Sequence, residues 1–480
     1  MGNSVITVCR DGLPTILLSF SFVVIVSTLI AYCFSSVQPG PYMDEYFHTR
    51  QTLTYLAGNW SVWDNKISTP PGTYILFVAL YKITDALFVH LPQSPPILFF
   101  RCFSAAFSGL NYLLLLTVLY TLRHRFATLL SLVIITNPVL YFFSSMYYTD
   151  QCSLFFVLLV IYLSLKGFAL CSAACCLLAT SVRQTNIVWL LVSVGMLVAQ
   201  SLSEHFDQSQ KLLGSCTWIR YLATLTVGRP WYVLRVAFRS TFSCIWHFLA
   251  ALFFLFFVKW NGGVALGDRA AHHAVVHVPQ LWYFVSFCAF FTPLSFCHFV
   301  VDTVNRYRRM LLKAPLKFCL CLALWFLVFL SVSITLKYFL YVHPYLLADN
   351  RHYMFYIWRR VIKRSQTVYY TLSIPYTFGV FYWLSRLFSY RTWLPLFVGR
   401  LALIVGVCCC LIPAGLIEVR YFIVPYVLWR LFTTDLCETR SSLGTELVIN
   451  LFLHFLTCYY FIFMPFQWPY DPQTIQRFMW

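Results

Sequence analysis

An all-α polytopic membrane protein is the fold class this sequence predicts, and three observations carry the prediction. Of 480 residues, 60% are hydrophobic and only 10% are charged, where a soluble domain carries about 25% charged residues. Apolar stretches near the roughly 20 residues needed to cross a bilayer recur from one end of the chain to the other. Between them lie loops of two chemical kinds, one basic and one rich in Asp, Glu, His, Asn, Trp and Gly. No polar segment is long enough for a separate soluble domain, so residues 1–480 read as a single membrane-embedded domain.

The apolar segments fall at Leu13–Ser36, Gly72–His90, Ile97–Leu122, Phe126–Phe143, Cys152–Phe168, Ala169–Ser181, Ile187–Gln200, Thr241–Val258, Leu281–Val301, Phe318–Tyr341, Val368–Phe388, Trp393–Ile412, Tyr421–Leu431 and Leu447–Phe466. Several are short, which sets the expected number of transmembrane helices at roughly 11–14. The first is too long for a signal-peptide core and no small-residue cleavage site follows it, so it reads as a retained span. Met1-Gly2 lacks the Ser or Thr at position 6 that myristoylation needs.

The formal charge of +18 would suggest nucleic acid in a soluble protein, but no nucleic-acid-binding module appears. In a membrane protein, Lys and Arg collect in cytoplasmic loops and meet anionic lipid headgroups. Glu204–Arg239 (Lys211, Arg220, Arg229, Arg235, Arg239) and Asp302–Lys317 (Arg306, Arg308, Arg309, Lys313, Lys317) are the two basic loops. The first interleaves Trp218, Tyr221, Trp231 and Tyr232, a mixture suited to the headgroup layer. The 18 cysteines sit mostly inside apolar runs, where Cys behaves as a small hydrophobe. With no paired C-x-x-C spacing, neither a disulfide framework nor a metal is expected.

The polar loops are Val37–Pro71, Tyr147–Gln151, Arg183–Asn186, Lys259–Gln280, His343–Arg364 and Ile417–Arg420. All are assigned to the lumenal side. Strict alternation through every apolar segment, however, puts Asp44 and Asp349 on opposite sides. One segment before Asp150 must therefore be re-entrant, split or miscounted. Since Arg123-His124-Arg125 belongs in the cytoplasm, the fault lies between Gly72 and Leu122.

Chemistry concentrates in two of these loops. Asp44 and Glu45 directly follow the first span, and ionised groups near hydrocarbon are functional candidates by default. A helix from Met43 would align Asp44, His48, Gln51 and Tyr55 on one face, a stripe suited to sugar hydroxyls, although Asp44 could equally cap that helix. Trp63-Asp64 offers a flat apolar face beside a directional acceptor, and Pro70-Pro71-Gly72 is equally a helix-start signal. Asn59-Trp60-Ser61 is a glycosylation sequon. The second cluster is Asp349-Asn350-Arg351-His352, where Arg beside His suits a phosphate, the alternative being a local Asp349–Arg351 ion pair. Arg359, Arg360, Lys363 and Arg364 beyond it read as a snorkelling rim. Arg183 with Gln184, Arg420 with Glu418, and the stretch 261–269 (NGGVALGDR) complete the set. The Gly-rich stretch is not a P-loop, and Glu418–Arg420 could be a buried pair without a chemical role.

These motifs resemble one family: the terminal α-1,2-glucosyltransferases of the dolichol-linked oligosaccharide (N-glycosylation) pathway, which have the GT-C type glycosyltransferase fold. The resemblance rests on PYMDEYFH (41–48), WD (63–64), TPPGTY (69–74), YYT (147–149), RQTNIVW (183–189), NGG with LGDR (261–269), H-x-PQ (277–280), HPYLLADNRHYMFYIWRRVI (343–362), IEVRYFIVPYVLWRL (417–431) and QWPYDPQTIQRFMW (467–480). Two positions depart from it: Val419 stands where Pro is usual, and Asp150 where Glu is common. Neither removes a charged group.

The resemblance implies an ER-membrane, multi-pass enzyme with its site in lumenal loops. Its donor would be dolichyl-phosphate glucose and its acceptor the diphosphodolichol-linked Glc2Man9GlcNAc2, with inversion at the transferred sugar. By analogy with the first-loop acid of the fold, Asp44 is the catalytic base, with Glu45 second. Arg351, His352, Arg183 and Arg420 are expected to bind the donor phosphate. His48, Trp63, Asp64, Asp349, Asn350 and Gln184 are expected to bind sugar or acceptor. No cofactor is expected, and no obligatory metal, because a single departing phosphate would face cationic side chains. The competing readings are another dolichyl-phosphate-sugar enzyme of the same fold and a polytopic transporter. A transporter would carry its ionisable groups near the bilayer midplane between inverted repeats.

Overall fold

The computed structural model describes residues 12–87, 91–92, 94–204, 212–364, 366–388, 392–433 and 438–480. Met1, Gly2, Lys211 and the His90 end of the second apolar segment lie outside these. The chain is a helical assembly. Helix α1 (Leu13–Val37) leads into the short α2 (Glu45–Leu56) and α3 (Gly72–Leu87), then the long α4 (Ile97–Thr121). Helices α5 (Ala127–Ile135) and α6 (Pro138–Phe142) are two halves bent by 66°. The bend falls where Asn137 caps the second half, accepting from Val139 N at 3.2 Å, and Pro138 takes its first position, where a missing N–H does no harm. Helices α7 (Asp150–Leu165), α8 (Ala169–Val182) and α9 (Leu190–Glu204) follow, then α10 (Ser215–Gly228), α11 (Pro230–Ser243) and α12 (Ile245–Asn261).

The C-terminal half continues with α13 (Pro279–Phe290) and α14 (Pro293–Lys313), bent by 100° at Pro293, then α15 (Pro315–Tyr338). Two short helices, α16 (Pro344–Ala348) and α17 (Tyr353–Arg360), precede α18 (Gln366–Phe388), α19 (Leu394–Leu411), α20 (Ile423–Phe432) and α21 (Arg440–Phe463). The chain then forms an antiparallel hairpin, β1 (Phe466–Trp468) and β2 (Asp471–Gln476), a feature the all-α expectation omits.

Among the described residues six helices are long and apolar enough to cross a membrane, or nine if each bent pair counts as one span. This is fewer than the 11–14 expected. Segments such as α7 and α8, at 16 and 14 residues, fall short of the roughly 20 residues a straight perpendicular span needs. The expected span Leu281–Val301 is broken at its middle by the α13–α14 bend.

The alternation conflict resolves at α3, inside the interval the sequence indicated. Phe77, in the second turn of α3, stacks on Phe100, and Tyr81, in the third, meets Phe99 edge-on, both partners lying in the first turn of α4. Arg101, in that same turn of α4, bonds Gln38 O at the end of α1. Both α3 and the start of α4 therefore lie on the face where α1 ends, and α3 does not cross. With α3 removed from the count, the loops carrying Asp44, Asp150 and Arg183 share one face, hereafter the site face.

The basic segment after α9 does more than meet headgroups. Trp231 is exposed, but Trp218 is buried and donates to Thr392 O at 2.7 Å. An aromatic placed at the interface by its sequence context is here a packing residue. On the face opposite the site, buried charges knot four elements together. Arg430 Nη2 lies 2.9 Å from Glu446, Arg386 Nη2 lies 2.9 Å from Glu438, and His124, just beyond the end of α4, lies 3.6 Å from Glu438.

Candidate active site

The site grows from a turn. Met43 adopts φ 54°, and Asp44 follows at the N-cap position of α2. Asp44 does not use its side chain to cap the helix; the carboxylate instead meets Arg420 Nη2 at 3.0 Å, 376 residues away in the chain. Arg420 also reaches Asp150 at 3.8 Å and bonds Glu418 through Nε. Its guanidinium lies over Tyr148 (4.7 Å) and Phe143 (5.1 Å), contacts that favour a cation. Arg183 closes the constellation, holding Asp150 at 3.0 Å and Thr149 Oγ1 at 2.8 Å. Three carboxylates and two guanidiniums thus interlock, but only Asp44 is open, its side chain 44% exposed against 1% for Asp150.

Electrostatics follow from that arrangement. Burial works to raise the Asp44 carboxyl, but its neighbours, Arg420 foremost, together hold the group below its ordinary range. Burial pushes the His48 imidazole down to about 4, against the opposing pull of Asp44, so the ring is neutral at pH 7. His48 Nδ1 pairs with the Tyr74 hydroxyl at 2.7 Å.

Glu45 sits differently from its neighbour. It is fully buried and grips Arg101 with both oxygens, at 3.0 and 2.7 Å, while accepting Tyr147 N at 2.8 Å and Tyr42 N at 3.0 Å. Every sector of the carboxylate is occupied, so this acid fixes architecture.

The first loop is organised by Gln51, whose amide donates to Val62 O and accepts Asp64 N. Asp64 accepts Lys66 N at 3.0 Å, and Trp63 packs at 6.2 Å from the Tyr74 ring with its indole N–H unpartnered among the described residues. Gln184 donates to Ser68 O at 2.9 Å, tying the Arg183 corner to this loop. The stretch 261–269 wedges against the first loop. Leu266 N and Asp268 N bond Ser68 O and Asn65 O, and Gly267 is pressed so closely that a Cβ would overlap the Asn65 carbonyl. Beyond it, Asp268 accepts Tyr345 Oη at 2.9 Å, which joins the first loop to the second cluster.

In that cluster Arg351 chelates Asp349 at 2.8 and 2.6 Å, so the local ion pair is present. Arg351 also donates to Gln476 Oε1 at 3.1 Å and lies 4.9 Å over Trp468. Asn350 accepts the Trp468 indole N–H at 2.7 Å, and His352 Nδ1 pairs with Trp480 O at 2.7 Å. The C-terminal hairpin is therefore the floor of this loop. On its other side Arg351 sits 6.0 Å over Tyr42, two residues before Asp44. The two clusters meet, with Tyr42 between them.

Sequence reasoning left out the residues that make the junction: Tyr42, Tyr74, Arg101, Tyr148, and Asp150 as a member of the centre. A signal was available for Asp150, a carboxylate at the start of an apolar helix beside Tyr147-Tyr148-Thr149. For Tyr42 and Arg101 there was none, because their partners are remote in the chain.

The DIE2/ALG10 family pattern matches residues 38–431. The chain belongs to the DIE2/ALG10 family. Among similar members, a Homo sapiens protein is 34% identical over 479 residues, covering 95% of this chain and 96% of its own. One from Drosophila melanogaster is 31% identical, covering 91% and 93%, and one from Arabidopsis thaliana is 30% identical, covering 92% and 96%. All three bear the name Dol-P-Glc:Glc(2)Man(9)GlcNAc(2)-PP-Dol alpha-1,2-glucosyltransferase. No solved structure matches the chain. The DIE2/ALG10 match spans every site residue from Asp44 to Arg420 and stops short of the C-terminal hairpin.

Proposed function

We propose that this chain transfers the terminal glucose, in α-1,2 linkage, from dolichyl-phosphate glucose to diphosphodolichol-linked Glc2Man9GlcNAc2 at the lumenal face of the endoplasmic-reticulum membrane. The relatives' shared name supports the substrates. The observation that carries the chemistry is the pairing of a half-open acid, Asp44, with a cation drawn from the far end of the chain, Arg420.

In the proposed step the acceptor hydroxyl oxygen attacks C1 of glucose from the face opposite the phosphate. The C1–O bond to phosphate breaks, its electron pair leaving with dolichyl phosphate, and the hydroxyl proton passes to Asp44. Oδ2 of Asp44 is held by Arg420, which leaves Oδ1 to take that proton. A carboxylate held below its ordinary range is a modest base, so proton transfer runs late, when departure of the phosphate has made the hydroxyl acidic. Arg351, His352, Arg183 and Arg420 form the cationic surround for the phosphate, where preorganised charge lowers the barrier. Arg351 keeps N–H groups free of Asp349 and Gln476 for this task. Glu45 is assigned to support and not to proton transfer. Trp63, whose N–H has no partner among the described residues, and Asp64, His48, Asp349, Asn350 and Gln184 line the sugar side.

The test is transfer by the purified chain to a diglucosylated lipid-linked acceptor, offered dolichyl-phosphate glucose or dolichyl-phosphate mannose. Glucose should move, giving an α-1,2 product. Movement of mannose alone, or of neither sugar, overturns the reading.

A further inference from the structure

Between the end of α1 and the first turn of α2, one residue stands in a conformation its side chain disfavours. Met43 has φ 54°, the left-handed region that non-glycine residues enter rarely and at a cost. Such a turn persists only if its surroundings fix it from both sides. After it, Glu45 is anchored to Arg101 and to the amide of Tyr147, and it reaches back across the turn to the Tyr42 amide at 3.0 Å. Before it, the Tyr42 phenol donates to Arg477 O and accepts Arg477 N, both at 2.7 Å. Arg477 is in turn bolted to the helix ends, donating to Val37 O at 2.8 Å and to Phe461 O at 2.7 Å. The phenol is buried, and burial raises it to about 12 despite the Arg477 amide, so it stays protonated and able to donate.

We propose that Tyr42 and Glu45 are positioning residues, a two-point clamp that holds the Met43 turn in its left-handed form and so aims the Asp44 carboxylate. Asp44 is the residue between the clamp points that faces open space, and its direction is set by the φ of Met43. The C-terminal segment thereby enters the reaction: through Arg477 it fixes the acid, as through Trp468 and Gln476 it fixes Arg351. The proposal rests on Asp44 acting as the base.

The decisive experiment exploits glycine, which adopts positive φ without steric strain. Tyr42→Phe removes one hydroxyl and leaves the ring. It should lower kcat by about 10- to 100-fold, the scale of a misplacement near 1 Å, with KM for both lipid substrates little changed. Met43→Gly alone should transfer near the wild-type rate. The double variant Tyr42→Phe/Met43→Gly should recover most of the lost kcat, because the turn no longer needs the clamp. Melting temperatures of all three variants separate loss of aim from loss of fold. Wild-type kcat in Tyr42→Phe, or a loss that glycine does not restore, overturns the clamp. Asp44→Asn run in parallel keeps the two claims apart: if it is inactive while Tyr42→Phe is unimpaired, the base stands and the clamp falls. If it transfers at the wild-type rate, the base itself falls.

Discussion

Asp44 and Glu45 are neighbours with identical chemistry and opposite surroundings, and the difference is one of solvent. Glu45 has no face left for a substrate, whereas Asp44 has one oxygen held by Arg420 and the other open. Asp44→Asn should leave the fold intact and lower transfer by about 10²–10⁴-fold, the usual contribution of a positioned base, measured as initial rate at saturating donor. His48 supplies a pH signature of stability. Its folded pKa, about 4, lies below the unfolded value of 6.5. As pH falls from 6.5 toward 4 the unfolded chain takes up a proton that the folded chain refuses, so stability falls, by at most about 3 kcal/mol. Denaturation between pH 4 and 7 should therefore lose up to one proton of slope in His48→Gln. An unchanged slope would show that His48 is not buried neutral.

At the scale of elements, the hairpin β1–β2 and the wedge 261–269 explain why polar loops so far apart in sequence act together. The hairpin grips Arg351 by a ring and an amide, and Asn350 by an indole N–H. Trp468→Ala deletes the ring contact, worth about 0.5–2 kcal/mol, and a hydrogen bond worth about 1 kcal/mol. It should loosen the loop and raise the donor KM more than it lowers kcat. The kinetic split measures this, and a pure kcat effect would contradict it. The wedge depends on close approach at Gly267. A methyl group there should cost about 1–3 kcal/mol and separate Tyr345, bonded to Asp268, from the first loop, read as a lowered melting temperature of Gly267→Ala.

For the whole molecule, the two faces carry two kinds of ionic network. The site face holds interlocked acids and arginines with one open carboxylate. The far face holds Arg430, Glu446, Glu438 and Arg386, all buried. Glu446 is the nearer of two acids on Arg430, and Glu438 remains at 3.5 Å when it is lost, so Glu446→Ala should destabilise by about 1–3 kcal/mol, read by denaturant unfolding. Sidedness is directly testable. Epitopes inserted at Asn59 and at Tyr470 should be protected together in sealed vesicles, while one at Arg308 on α14 is cleaved. Protection of only one of the first two would place the loop of Asp44 and the hairpin under Arg351 on opposite sides.

Hydrophobic runs and the segregation of charge sufficed to read this chain as a polytopic helical membrane protein, because burial in lipid imposes a composition that no folding detail can disguise. The same reading found both polar clusters, since ionised groups at span ends are too costly to be incidental. Sequence could not tell α3 from a spanning helix, because an apolar helix packed on α2 and α4 has the same composition as one in lipid. It could not separate Asp44 from Glu45, nor find Tyr42 or Arg101, whose partners lie 56 to 435 residues away. Those assignments depend on which groups meet and which oxygen stays open to solvent. Only the packed chain sets both, because contacts between remote residues leave no local pattern.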